Sequence, residues 1–513
     1  MDSIELSLFS SRVNAICEEM GALLRRAAFS PNIRDRLDFS CAIFDSEGEL
    51  CAQAAHIPVH LGSMAYAMRG IVARFQWNPG DQVVLNDPYL GGTHLPDVTV
   101  VGPVFAGDAL VGFVANRAHH ADIGAATPGS MPVSRSLDEE GLLIAPTRIQ
   151  KKGEVIQAVL NSLSESTRNP DEAKGDFIAQ QSSVSRGSER LSLLIDSMGA
   201  DSYLGALNSL NEYAEKLATA ALMSIPDGCY VFEDLMDDDG MGNTDIPIRA
   251  SVTIREGSAV VDFVGTAAAV EGNINCPISV AAAAVYYVFR CLMPAHAPAC
   301  AGSFRPITLR AEEGSLINAR RPAAVAAGNV ETSTRITDVV MGALALAIPD
   351  RIPAASHGSM NNLAMGSAQP GCEWDYYETI GGGMGASSVG NGLSAVQTHM
   401  TNTLNTPVEV LEMTFPVRVV QYRIKRDSGG EGKYHGGDGL IREFESLRPA
   451  TATLLTERRR HSPWGLNGGN AGKPGTNHYN GASLPGKITL EMKPGDRLRI
   501  ETAGGGGWGV TKR

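Results

Sequence analysis

His94 and Asp97 stand three residues apart in Gly92-Thr93-His94-Leu95-Pro96-Asp97, and twenty residues after Asp97 the chain begins Arg117-Ala118-His119-His120-Ala121-Asp122. Two imidazoles and one carboxylate are donors that suit a borderline divalent transition metal such as zinc, manganese or iron, and three protein ligands leave positions open for water or substrate. An H-x-x-D alone is weak; the second histidine cluster at a hairpin-compatible distance gives it weight. The same residue types also end strands and cap loops, and residue chemistry leaves both readings open.

What must position these groups is a hairpin. Val98 to Phe105 and Leu110 to Asn116 are apolar runs on either side of Ala106-Gly107-Asp108-Ala109, so a turn about Gly107 and Asp108 sets Asp97 opposite Ala118 or His119. Directly opposed residues have Cα atoms about 4.5–5.5 Å apart, and His94 lies one short loop away. A second hairpin, Phe39 to Phe44 with Glu49 to Gln53, holds Asp38 at its open end, across from Ala55 and His56. Residues 4 to 28 repeat apolar positions every three or four residues, as do Leu61 to Phe75 and 172 to 224, so each is expected to be helical. The segment 226 to 270 is expected to be β-rich, Pro277 to Phe289 a buried alanine-rich helix, and everything from about 417 short strands broken by Gly-Gly, Pro-Gly and Asn-Gly turns. The expected fold is therefore mixed α+β and multidomain. A hairpin-rich N-terminal domain (1–225) carries the metal motifs, a mixed middle domain covers 226–416, and a β-rich unit covers 417–513.

Three further clusters carry polar chemistry. Gln397 to Thr406 packs hydroxyls, amides and His399 into ten residues, and His399, Thr401 and Asn402 are candidates for substrate hydrogen bonding, against a loop whose Thr and Asn side chains satisfy their own backbone. Thr379 to Gly385 is either an anion-holding glycine nest or a tight structural loop. Glu457 to His461 is a basic run expected to be ion-paired.

Lys and Arg number 43 against 56 Asp and Glu, a net charge of −13, which argues against nucleic acid or an anionic membrane as the main partner. The longest apolar stretch is shorter than the roughly 20 residues of a membrane span. Eight cysteines show no C-x-x-C or zinc-ribbon spacing and are expected to be reduced thiols. The start of the chain has no basic and apolar leader, so a cytoplasmic location is expected. No G-x-x-x-x-G-K-[ST] occurs, so no nucleotide-binding residues are assigned and ATP chemistry would have to come from another fold or chain.

Taken together, Asp38-Phe39-Ser40-Cys41-Ala42-Ile43-Phe44-Asp45, His56-Ile57-Pro58-Val59-His60-Leu61-Gly62-Ser63-Met64, Gly92 to Asp97, Ala115 to Gly124 and Pro128 to Pro132 resemble the hydantoinase B/oxoprolinase family. Ala327 to Ser333, Thr398 to Thr403, Glu457 to Leu466 and the glycine-rich segment before Trp508 resemble its later blocks, so the likeness spans nearly the whole chain. It implies the B-type subunit of an ATP-dependent cyclic-amide hydrolase, acting on a hydantoin, 5-oxoproline or a lactam. The expected partner, in a hetero-oligomer, is an A-type subunit with an actin-like ATPase fold, which uses ATP to phosphorylate the substrate; a metal-activated water then completes ring opening. The metal ligands it implies are His94, Asp97 and His119. Asp38 is then a further ligand or proton-transfer group, and Asp38 or His120 the general base, with His120 alternatively orienting its neighbour. The family also includes subunits of acetone and acetophenone carboxylases, which is the alternative activity; a non-catalytic scaffold for the A-type partner is the third. Gly124-Ala125-Ala126 and Gln397 depart from the family pattern and leave the substrate open.

Overall fold

The chain is described here by a computed structural model covering residues 2–55 and 57–511, with only the backbone given for Ala55 and Leu61. Its helices are α1 (Ser3–Ala27), α2 (Pro31–Arg34), α3 (Pro58–Val72), α4 (Gln157–Glu165), α5 (Pro170–Met198), α6 (Ala200–Met223), α7 (Ile278–Leu292), α8 (Ser333–Ala345) and α9 (Val408–Thr414). The first seven strands are β1 (Phe39–Asp45), β2 (Leu50–Ala55), β3 (Gln82–Leu85), β4 (Asp97–Ala106), β5 (Ala109–His119), β6 (Thr147–Lys151) and β7 (Glu154–Val155). They form one antiparallel sheet in the order β2-β1-β5-β4-β3-β6-β7.

Alternation along β4 and β5 gives this sheet two different faces. Val98, Val100, Val104, Val114 and Ala118 pack on α1, α5 and α6, while Val101, Phe113 and Ala115 pack on α3. Helix α1 starts where Asp2 caps it and Glu5 bonds back to the Asp2 amide, a reciprocal capping box. Its buried stripe is Phe9, Val13, Ile16, Met20 and Leu24. Helix α3 lies against the alanine-rich α7: a Cβ on Gly62 would fall 2.5 Å from the Ala283 Cα. Glycine on one helix and alanine on the other allow that approach.

Strands β8 (Gly228–Asp238), β9 (Thr244–Arg255), β10 (Ser258–Asp262) and β11 (Ile307–Arg310) make a second sheet in the order β11-β10-β9-β8, with α7 and α8 sharing its core. A π-helical turn, Gly328–Thr332, leads directly into α8. The remaining strands are β12 (Asn362–Ser367), β13 (Trp374–Glu378), β14 (Val417–Lys425), β15 (Gly439–Ser446), β16 (Ala450–Leu455), β17 (Thr476–Tyr479), β18 (Ala482–Leu484), β19 (Lys487–Met492) and β20 (Arg497–Glu501). They divide into the sheets β13-β12-β16-β19 and β14-β15-β20-β17-β18, and the former takes strands from both sides of residue 417.

Beyond β20, Gly504 to Gly507 runs through a layer of other glycine segments. Its backbone bonds in several directions: Gly505 N–H to Gly437 O, Gly506 N–H to Ala355 O and Gly507 N–H to Asn470 O, while Gly430, Ala386 and Leu466 donate to it. A Cβ on Gly504 or Gly505 would sit 2.0 or 2.1 Å from a carbonyl oxygen, so no larger residue fits. The N–H groups of Gly382 and Gly383 are taken by Val396 and Ala503, which makes that loop a structural element of the layer. The architecture is mixed α+β in several layers, as expected. All eight cysteines are free, Cys41 and Cys51 included, and no described helix is long and apolar enough to cross a membrane.

Candidate metal centre

The hairpin folds as its two apolar runs require, and Asp97 pairs directly with His119 across β4 and β5. Both side chains point to the α3 side, the face also occupied by Thr99 and Arg117. His94 joins them from the loop before β4. His94 Nε2 lies 3.3 Å from Asp97 Oδ1, His119 Nδ1 lies 3.2 Å from the same oxygen, and the two nitrogens are 3.2 Å apart. Donors about 2.0–2.2 Å from one ion stand about 3.0–3.6 Å from each other. Three lone-pair atoms already hold that spacing, in a site closed to solvent.

The surroundings decide which atom each residue offers. His94 Nδ1 faces the Ala326 carbonyl at 3.3 Å, so Nδ1 carries the proton and Nε2 is bare. Asp97 Oδ2 is saturated by the Thr93 hydroxyl, by His60 Nε2 at 3.2 Å and by the Asn329 amide at 3.4 Å, leaving Oδ1 as a single ligand atom. His60, from the first turn of α3, is fixed in turn: the Ser40 hydroxyl accepts from the Ile57 N–H and meets His60 Nδ1 at 3.3 Å, so Nε2–H is the donor to Asp97. Tyr377 stacks on the His119 ring, centroids 4.6 Å apart and planes 20° from parallel. His119 Nε2 is buried with no hydrogen-bond partner among the described residues.

Burial alone would raise the Asp97 pKa, but the His94 and His60 charges and the His119 and His60 hydrogen bonds hold it well below the usual carboxylate range. Burial pushes His94 down, and Asp97, the Ala326 carbonyl and Glu140 more than reverse this, so its pKa is raised. His119 is lowered, by burial chiefly, against Asp97 and Asp38. One anion therefore faces a set of imidazoles of which His94 is held toward its charged form and His119 away from it. Arg117, a permanent cation on this face, is committed elsewhere: its guanidinium bonds Thr99 at 2.9 Å, Ser63 at 2.7 Å and the Gly91 carbonyl at 3.1 Å. It ties the His94 loop to α3.

Asp38 borders the centre. Its carbonyl accepts the His119 N–H at 3.0 Å, its carboxylate lies 3.7 Å from the buried Arg36, and its charge is felt by His119 and Tyr377. It is not among the three clustered donors. His120 follows His119 just past the end of β5 and turns to the other face: Nε2 meets the Gln180 side-chain Oε1 at 2.9 Å and the ring packs on Phe177. The expectation that His120 transfers a proton at the three donors does not fit this placement. His399 is buried elsewhere, with Tyr287 at 3.5 Å and Asp338 at 4.0 Å. Thr401 bonds Thr403 and Asn402 is exposed, and no described contact joins any of the three to the donors. His56 lies outside the described residues.

Sequence reasoning did not assign His60, Thr93, Asn329 or Tyr377 to the centre. The second histidine of His56-Ile57-Pro58-Val59-His60 and the Thr93 inside the loop were visible signals; Tyr377, 258 residues after His119, had none. A cleft of about 610 Å³ lined by Tyr66, Tyr89, Ser279 and Arg321 has Gly91 in its wall, next to the His94 loop.

Comparison with known proteins adds what geometry cannot. The hydantoinase B/oxoprolinase profile matches residues 2–511. An uncharacterised protein of Methanocaldococcus jannaschii is 40% identical over 99% of this chain and 91% of its own length. 5-Oxoprolinase 1 of Arabidopsis thaliana is 39% identical over 99% of this chain but only 42% of its own length, so the chain spans about two-fifths of that enzyme. The B-type subunit of a putative D-/L-hydantoinase from Pseudomonas is 30% identical, with 99% and 90% covered. Among solved structures, the ATP-dependent caprolactamase from Pseudomonas jessenii superposes with a TM-score of 0.92 at 27% identity, covering 99% of this chain and 91% of that one. An acetone carboxylase superposes at 0.89 with 18% identity, covering 99% and 76%, which is a likeness of fold.

Proposed function

The chain belongs to the hydantoinase B/oxoprolinase family, and from that premise we propose that it is the B-type component of an ATP-dependent cyclic-amide hydrolase. The observation that carries this reading is the convergence of His94 Nε2, Asp97 Oδ1 and His119 Nδ1 on one buried point, each held there from behind. Those three residues would hold a divalent transition metal. Such an ion supplies a Lewis acid for a carbonyl oxygen and a lowered pKa for a water.

The chain's own groups do the rest. Asp97 presents one oxygen because His60, Thr93 and Asn329 keep the other. Asp38, beside the His119 backbone and clear of the ligand set, is the group assigned to accept a proton from the attacking water; His120 supports β5 through Gln180. An unactivated amide is a poor electrophile; phosphorylation of its oxygen by an A-type partner makes the carbon electrophilic, water adds there, the ring C–N bond breaks as the nitrogen takes a proton, and hydrolysis of the acyl phosphate that is left releases carboxylate and phosphate. The relative named as one subunit of a hydantoinase, and relatives more than twice this chain's length, support a partner carrying the ATP chemistry.

The test is reconstitution with an A-type partner, ATP and a panel of hydantoins, 5-oxoproline and lactams, following ADP and ring-opened product. Coupled formation of both, abolished by His94→Ala, is expected. Consumption of a ketone with bicarbonate while the cyclic amides stay intact would replace this reading with the carboxylase one. Turnover unchanged by His94→Ala would make the chain a scaffold.

A further inference from the structure

Behind each of the two ligand imidazoles runs a chain of contacts that ends on a fully buried carboxyl group, and neither carboxyl touches the three donors. The first chain starts at His94, whose Nδ1 faces the Ala326 carbonyl. The backbone there is pinned by Glu140 Oε1, which accepts from Ala326 N–H at 2.9 Å, Val325 N–H at 2.9 Å and the Ser134 hydroxyl at 2.8 Å. The second starts at Tyr377, stacked on His119. Its hydroxyl donates to Asn362 Oδ1 at 2.7 Å, and Asn362 Nδ2 donates to Glu331 Oε1 at 2.7 Å and to the Leu455 carbonyl at 3.0 Å. Two acceptors at Nδ2 fix which way the Asn362 amide faces, so Tyr377 is held as a donor and its ring is held against His119. Glu331 also accepts the Met360 N–H, and the π-helical turn that carries it places Asn329 on Asp97.

Each carboxyl has one saturated oxygen, while Glu140 Oε2 and Glu331 Oε2 are buried with no hydrogen-bond partner among the described residues. A buried polar atom left unpaired is costly, and an apolar residue would avoid that cost. Among the described residues neither group closes an ion pair that would explain its retention on stability grounds.

We infer that Glu140 and Glu331 are positioning residues, one for each ligand imidazole, that set the centre's geometry from outside through the Ala326 backbone and through Asn362 and Tyr377. The inference rests on the metal reading of His94, Asp97 and His119. Outer partners of this kind change metal affinity by about 10- to 100-fold.

The experiment measures zinc affinity of the full chain by competition with a chelator, with melting of the metal-free protein recorded beside it. Glu140→Ala and Glu331→Ala are each expected to weaken zinc binding by about 10- to 100-fold. Glu140→Gln and Glu331→Gln, which keep the accepting oxygen, should stay within about threefold of wild type. Tyr377→Phe separates the chains: combined with Glu331→Ala it should be non-additive, because both cut one path, and combined with Glu140→Ala it should be additive. Zinc affinity unchanged in the folded alanine variants, or equal coupling in both double variants, would overturn this inference alone. A wild-type chain that takes up no zinc would overturn the metal reading beneath it.

Discussion

The His94–Asp97–His119 centre and the ion network around Glu457 are both buried, yet their charges are arranged in opposite ways. In the network every carboxylate meets a cation. Glu457 pairs with Lys487 at 2.6 Å and with Arg335 at 3.2 Å, while Arg458 pairs with Asp234 at 2.7 Å and with Asp338. Burial would raise Asp234, but Arg458 and Arg335 bring it down to about 2. Three cations, Lys487, Arg335 and Arg458, face Glu457, Asp234 and Asp338, and Lys487 also reaches Asp238 at 3.8 Å, so no cation or carboxylate of the set is left without a partner. In the centre, among the described residues, one carboxylate meets three imidazoles and no guanidinium or ammonium group, and the leftover atoms are lone pairs aimed at one point. A closed set needs nothing further to be stable; an open one has room for a cation, which is what the metal reading proposed above would place there. The basic run Glu457 to His461 is thus a structural clasp.

That contrast can be broken at either end. Glu457→Ala takes from the buried Lys487 and Arg335 their nearest carboxylate, leaving only Asp238 at 3.8 Å and Asp234 at 3.5 Å, and should remove about 3 kcal/mol of stability, read as a lower melting midpoint, while the folded fraction still takes up zinc. Asp97→Asn should act first on the metal: zinc affinity falls by at least about a hundredfold, or about 2.7 kcal/mol, while the metal-free chain, losing a carboxylate that its neighbours hold ionised, melts lower but by less than with Glu457→Ala. Metal lost from the Glu457 variant, or kept by the Asp97 variant, would erase the distinction.

A pH series sharpens it. Glu331 sits between the two regions, and burial together with the Glu457 charge raises it from 4.5 to about 8, against Ser359, Lys487 and Arg459. A raised carboxyl pKa means the folded state binds the proton more tightly than the unfolded one. Its contribution to stability is therefore complete below about pH 4.5 and lost as pH rises through 8. Glu331→Gln should flatten that decline and stabilise the metal-free chain at pH 9 by on the order of 1–2 kcal/mol, with no difference at pH 4; equal slopes in calorimetry would refute it. The smallest effect is expected at Asn402, an exposed side chain without described partners, where alanine should change stability by less than about 0.5 kcal/mol and leave zinc affinity intact.

Much of the centre was legible because it is local. Two apolar runs about Gly107 and Asp108 specify a hairpin, and its register follows from their lengths, so Asp97 meets His119. The same period of two also says that His119 and His120 face opposite ways, and the expectation for His120 overlooked it. Asn329, Glu331 and Tyr377 reach the centre only through tertiary packing, more than 200 residues beyond His119, and no local periodicity marks them. Likewise nothing near Asn362 announces that β12 will pair with β16 across residue 417. His399 illustrates the converse: a dense polar segment left a binding loop and a self-satisfied loop equally open, and the structure buries its imidazole beside Tyr287 and Asp338.

The glycine layer has a consequence for how the molecule is made. Gly504 to Gly507 hydrogen-bonds to segments around 355, 386, 430, 437, 466 and 470, all of which leave the ribosome earlier. The groups on those segments that bond Gly504 to Gly507 can be met by them only once this later stretch has been made, and a side chain there would cost the layer its closure at that step.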